Sequence, residues 1–266
     1  MEERKTKGRR VVKILLVAGL ILLVVLLAAK PCWYLWQEVS FYWQEHTPAE
    51  YRVKAFAEEQ GIFYARYPKS LIALLDRNPE TEEFVLQYPF RQEGEVDLSG
   101  YDRREVPLFL QWDPRWGYEI YGSDFLAITG CGPTCLAMAG YYLTGEETMN
   151  PAQVARFAGE KGYYAKGYGS SWTLISQGGV ELGLQVRELP LVKKKIVDAL
   201  EAGNPVILAM GKGDFTTTGH YIVLTGVEEG GFRVNDPNSI ANSQKLWSYE
   251  TLESQIRNIW AISARP

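Results

Sequence analysis

Cys131 and Cys135 lie four residues apart in "ITGCGPTCLAMAGYYLTG" (128–145), His220 opens the apolar run "HYIVLTGV", and Asp236 closes "GFRVND". A thiol, an imidazole and a carboxylate are the parts of nucleophilic acyl transfer. The thiolate attacks, the ring moves the proton, and the carboxylate orients the ring. Which cysteine could attack depends on its place on the element that carries it. Cys131 stands between Gly130 and Gly132, with Pro133 pre-set for the first turn of a helix. A helix N-terminus carries partial positive charge and favours a thiolate. Cys135 falls one turn further in, on one stripe with Met138, Ala139 and Tyr142, the pattern of a core face. The residues therefore point to Cys131 as nucleophile and Cys135 as packing. A disulfide between them, half of a zinc site and an inert structural pair are the competing readings. With three cysteines and two histidines in 266 residues there is neither a disulfide framework nor a His-rich metal cluster, and no metal or cofactor is expected.

His220 is the only histidine in the globular part of the chain, His46 lying far upstream. Strand alternation puts His220, Ile222 and Leu224 on one face, and Phe232, Val234 and Asp236 on one face of the next strand. A reversal of about three residues would set Asp236 near Ile222, a same-face diagonal neighbour of His220. Asn235 would point the other way, so Asp236 is the expected orienter. An oxyanion needs donors. The Cys131 backbone N–H is one, and the Gln111 amide, at the end of "LFLQW", is the candidate second; strand-end polarity explains that glutamine equally well. Gly130 and Gly219 flank the thiol and the imidazole and let a substrate backbone come close. Trp112 and Trp116, with Tyr118 and Tyr121, are candidates to line a cleft, as is Trp172; core packing would account for at least half of them.

The elements that must hold these residues are legible in part. "VPLFLQW" (106–112) reads as a strand. Helices are expected over Pro133–Leu143, Pro151–Lys161 with Asn150 as cap, Trp172–Leu182 with Ser171 as cap, and Val192–Ala202. Strand-length apolar runs follow at 205–210, 220–227, 231–236, 244–247 and 259–263, with a tight reversal at Glu228–Gly231. Helices first and strands later give an α+β domain with a largely antiparallel sheet. Upstream, "SLIALLDR" (70–77) and "NPETEEFVLQY" (78–88) are short helical patterns, each too short to stand alone in water. "RQEGEVDLSGYDRREVP" (91–107) reads as a linker.

The N-terminus has a separate purpose. Six basic against two acidic residues give residues 1–13 a charge of +4, which leaves about −8 for the rest of a chain of net charge −4. An acidic body argues against a nucleic-acid partner. The basic tip precedes sixteen uncharged residues, Ile14–Ala29, and with their flanks these are long enough to span a bilayer. The expected organisation is a cytoplasmic tip (1–10), a transmembrane anchor (11–36), a helical stalk and linker (37–105) and a hydrolase domain (106–266). The positive side stays inside and the domain faces out. A signal peptide cleaved near Ala29 is the competing reading.

The strings "QWDPRWGYEIYG", "GCGPTCLAMAGYYLTG", "GNPVILAM", "TTTGHYIVLTG" and "RVNDPN", in the order Gln111, Cys131, His220, Asp236, resemble papain-like cysteine peptidases. They are similar in particular to bacterial peptidases of the bacteriocin-processing, double-glycine leader type, family thirty-nine of the cysteine peptidases. The resemblance covers about residues 106–264. It implies a papain-like fold, helices packed on an antiparallel sheet. It implies Cys131 as nucleophile, His220 as base, Asp236 as orienter, Gln111 as oxyanion donor, and a peptide or protein substrate. Cell-wall peptide is one such substrate, and no partner subunit is implied. No ATP-binding or transporter segment follows residue 266, so leader processing coupled to export is not expected. A papain-like binding module without activity and a peptidoglycan amidase or transpeptidase are the alternatives.

Overall fold

A computed structural model describes residues 32–266 apart from Glu93, Glu95, Tyr168 and Pro266. The anchor expected over 11–36 and the tip before it lie almost wholly outside the described residues. Among the described residues no helix is long and apolar enough to cross a membrane. The chain divides into two compact units between Ile72 and Ala73.

The first unit pairs helix α1 (residues 32–41) with α2 (Pro48–Glu59). Thr47 and Glu50 form a reciprocal capping box that starts α2. Lys54 is ion-paired with Glu38 and Glu58, and the His46 ring stacks on Phe41 at 3.6 Å. Helix α3 (Lys69–Arg77) contains the division between the units.

The second unit begins at Ala73 and continues beyond α3 with Asn78, whose side chain caps the turn Pro79–Thr81, and α4 (Glu82–Leu86). A small hairpin of β1 (Ile120–Tyr121) and β2 (Asp124–Phe125) leads to α5 (Leu126–Thr129), α6 (Cys131–Thr144) and α7 (Pro151–Glu160). Asn150 caps α7 as expected, accepting from the Gln153 N–H. A second hairpin, β3 (Tyr164–Ala165) and β4 (Gly169–Ser170), precedes a π-helical stretch, Leu174–Gly178, that runs into α8 (Gly179–Glu181). One regular helix was expected over 172–182. The Gly178-Gly179 pair instead packs so closely that a Cβ on Gly179 would stand 2.8 Å from Val186. Then follow β5 (Leu184–Glu188), α9 (Lys193–Glu201), β6 (Val206–Met210), β7 (His220–Glu228), β8 (Gly231–Asn235), α10 (Ile240–Ser243), β9 (Leu246–Trp247), α11 (Tyr249–Glu253) and β10 (Ile256–Ala264).

Six strands form one antiparallel sheet in the order β5-β10-β6-β7-β8-β9. Alternation along β6 and β7 divides the core. Ile207, Ala209, Tyr221 and Val223 face α6 and α7, while Val206, Leu208, Ile222 and Leu224 face α9. This is the α+β class read from the sequence. Strand β5 was not foreseen. "VPLFLQW" is not a strand: Pro107 lacks a donor, and the Asn235 amide binds the carbonyls of Val106 and Pro107 at 3.0 Å where a strand would have paired. The linker read at 91–107 also packs. Leu98 is wholly buried, and the Tyr141 hydroxyl donates to its carbonyl at 3.1 Å. Residues 78–90 are docked on the same unit, with Phe84 stacked on Tyr118 at 4.2 Å and the Tyr118 hydroxyl donating to the Phe84 carbonyl.

Candidate active site

Cys131 is the first residue of α6, and Gly130 is its N-cap. The helix ends at Gly145, left-handed with φ of 72°, and everything from Gly132 to Tyr141 is buried. A long apolar helix is thus fixed in the core with its first residue at the half-exposed end. Gly130 is small by necessity, since a Cβ there would meet the Leu126 carbonyl oxygen at 2.5 Å. Gly132 faces Ser170, where a Cβ would stand 2.6 Å from Oγ. Ser170 is itself held by the Tyr121 hydroxyl at 2.8 Å and, through its carbonyl, by the Tyr221 hydroxyl at 3.2 Å. Burial pushes the Tyr121 pKa up to about 12 and raises that of Tyr221, so both hydroxyls stay neutral. Cys135 is wholly buried and, like Cys131, a free thiol; burial raises its pKa well above the ordinary value.

His220 is the first residue of β7 and Asp236 follows the last residue of β8. The turn between the strands is only Glu229-Gly230, with Gly230 at φ 102°. The ladder then slips by one residue at Thr225, between the pairs Gly226–Arg233 and Leu224–Val234. Two turn residues and one bulge residue together make the three unpaired positions expected. Continued by one residue, the register sets Asp236 opposite Ile222, on the His220 side of the strand. A straight ladder would have turned Asp236 to the other face. The ring Nε2–H donates to Asp236 Oδ1 at 2.7 Å, leaving Nδ1 for the thiol. Burial opposes charge on this ring, but the Asp236 carboxylate, its hydrogen bond and the Cys131 thiol together raise the His220 pKa. For Asp236, 1% exposed, burial pushes the pKa up. The charged ring and hydrogen bonds from Asn242 (2.8 Å) and the Asn238 N–H (2.9 Å) outweigh it and hold the carboxyl below its usual range.

Gln111 is buried between these two halves. Its backbone N–H donates to the Pro237 carbonyl at 2.7 Å, and its side-chain Nε2 donates to the Ala127 carbonyl at 2.7 Å. One amide hydrogen remains, and Oε1 is buried without a partner among the described residues. Trp112 adjoins the same loop, its indole N–H donating to the Asn238 carbonyl at 3.2 Å. Trp116 does not line a cleft. It is 1% exposed, packs on Phe109 and donates to the Leu110 carbonyl at 2.7 Å. Tyr121 is likewise buried, whereas Trp172 is 50% exposed. Gly219 has open space at its Cβ position apart from the Met210 carbonyl oxygen at 3.9 Å. Sequence reasoning missed Asn242 and Ser243, whose amide and hydroxyl bind the Asp236 carboxylate and N–H. The signal was Ser239, a helix cap three residues before Asn242 in "NSIANS". No cluster of metal-ligating side chains is found among the described residues.

Residues 103–265 match the model of the Peptidase_C39 like family. Two solved structures are similar to the chain. The peptidase domain of Streptococcus ComA, a bi-functional ABC transporter involved in a quorum sensing pathway, is 19% identical with a TM-score of 0.40, covering 52% of this chain and 93% of that one. A putative C39-like peptidase from Bacillus anthracis is 16% identical with a TM-score of 0.36, covering 65% and 99%. No curated protein matches. With more than half of its length matched by that model, and an antiparallel α+β unit carrying the matched residues, the chain belongs to the Peptidase_C39-like family.

Proposed function

We propose that the chain is an active cysteine peptidase of papain-like type, in which Cys131, His220 and Asp236 act together. The observation that carries this is the buried bond of 2.7 Å from His220 Nε2 to Asp236, which turns Nδ1 away from the carboxylate and toward a cysteine at a helix start. His220 takes the thiol proton and Cys131 Sγ attacks the substrate carbonyl carbon. The carbonyl oxygen collects negative charge facing the Cys131 N–H and the free hydrogen of Gln111 Nε2. His220 then gives its proton to the leaving amine as the C–N bond breaks. Water, deprotonated by the same ring, releases the acyl group and regenerates the thiol. Gly219 leaves room for the substrate backbone, whereas the space beside Gly130 is filled by Leu126; exposed Trp172 is the aromatic surface offered to the substrate's side chains.

In the same reading the unit lies outside the cell, tethered by residues 11–36, with peptide or protein, cell-wall peptide included, as substrate. The basic residues before the apolar run and the acidic composition after it support this topology. Iodoacetamide should alkylate half-exposed Cys131 far faster than buried Cys135, and His220→Ala should slow the Cys131 reaction severalfold. Cleavage of a peptide library by wild type and not by Cys131→Ala completes the test. A Cys131 alkylation rate unchanged by His220→Ala, with no cleavage, would leave a binding module. Protease shaving of intact cells should remove the domain; full protection would overturn the topology.

A further inference from the structure

Asp236 owes its place to a short segment that is itself held from outside. Its carboxylate accepts from Asn242 Nδ2, and its N–H donates to Ser243 Oγ at 2.9 Å. Both residues belong to α10, a helix of one turn. Such a helix has little stability of its own, so what fixes its first turn fixes Asn242 and Ser243.

The first turn is held by Glu80. Its carboxylate accepts from the Ile240 N–H at 2.6 Å, the Ala241 N–H at 3.3 Å and the Ser239 hydroxyl at 2.8 Å. A carboxylate only accepts, so the Ser239 proton is committed to Glu80. The Ser239 oxygen is thereby presented to the Asn242 N–H, which donates to it at 3.1 Å. Beside it, Asn78 donates its amide to the Asn238 carbonyl at 2.6 Å, while its own oxygen accepts from the Glu80 N–H at 3.1 Å. Gln111 and Trp112 grip Pro237 and Asn238 from the other side. Residues 78–80 precede the family-matched stretch, which starts at 103.

We infer that Glu80, supported by Asn78, is a positioning residue for the site: it sets the first turn of α10, and through Asn242 and Ser243 it holds Asp236 against His220. An ordinary helix cap would add stability alone; this cap carries two of the groups that bind Asp236, one at its carboxylate and one at its backbone N–H. The inference rests on the reading of Cys131, His220 and Asp236 as the reacting set.

The test uses the full chain in detergent with histidine-selective NMR labelling, since the sequence holds only two histidines and His46→Gln assigns the pair. Glu80→Gln keeps the volume and replaces an acceptor-only group by an amide; Glu80→Ala removes it. Glu83→Gln, an exposed change on α4, is the control. In both Glu80 variants the His220 titration midpoint should fall toward the ordinary ring value of about 6.5. Iodoacetamide alkylation of Cys131 should slow severalfold. On a cleavable peptide kcat should drop about tenfold with KM nearly unchanged, the result of a misplaced orienter. The control should match wild type. A folded Glu80→Gln protein with lower melting temperature but unchanged His220 titration and alkylation rate would reduce Glu80 to a structural cap and overturn the inference. Slow alkylation of Cys131 already in wild type would instead overturn the peptidase reading.

Discussion

At the scale of single residues the chemistry depends on which neighbours are charged. Asp236 raises the His220 pKa against the effect of burial, so its removal has a direction. Asp236→Asn keeps an oxygen for the ring N–H but removes the charge. The alkaline limb of kcat/KM should move to lower pH, with a smaller loss of activity than in His220→Ala. The pair also stabilises the fold in a definite window. The raised His220 value contributes fully below the unfolded value of about 6.5 and is lost as pH rises through the folded one. The lowered Asp236 value contributes above about 3.9 and is lost as pH falls through the folded one. The melting-temperature gap between wild type and Asp236→Asn should be widest between those two pH values and shrink on the alkaline side. Cys135 is the opposite case, a thiol kept neutral by burial. Cys135→Ala should leave turnover intact and cost about 1–3 kcal/mol, read from denaturant unfolding. Loss of turnover in that variant with Cys131→Ala still active would mean the two cysteines had been exchanged.

At the scale of elements the sequence was most readable where a local pattern carries the information. The apolar runs of β6 and β7, the asparagine cap of α7 and the position of Cys131 at a helix start are local facts. β5 was hidden because its alternation, Leu184 and Val186 against Gln185 and Arg187, is only five residues long and follows a helix directly. "VPLFLQW" misled because its buried backbone is satisfied by the Asn235 side chain, which no periodicity reveals. The hydrogen bond of Asp236 to His220 agrees with strand parity, although the parity depends on a bulge at Thr225 that nothing in the sequence marks. Asn78 and Glu80 could not be found, since their partners lie about 160 residues away and a single distant polar pair leaves no trace in composition. The start of α6 offers its own test. Gly132→Ala improves helix propensity but drives a methyl into Ser170, a short side chain already tied to Tyr121. The crowding should cost about 1–3 kcal/mol and lower kcat. A more stable, fully active Gly132→Ala protein would mean that Ser170 yields freely.

At the scale of the whole molecule the family-matched stretch is smaller than the folded unit. Leu98 is wholly buried, and Phe84 is buried against Tyr118, yet both precede residue 103. A chain begun at residue 103 should therefore lose roughly 3–6 kcal/mol of apolar burial and melt well below the full chain, a difference calorimetry would show. Equal melting would mean that residues 73–102 contribute nothing to the unit. The order of strands has one more consequence, for how copies of the protein behave toward one another. A sheet that does not close leaves two edges, each a row of backbone groups that another chain can pair with. Here one edge is β9, only two residues long, and the other is β5, where Gln185, Arg187 and Glu188 are exposed. Neither is a long apolar template, so the sheet resists recruiting strands from a second copy even where the protein is crowded.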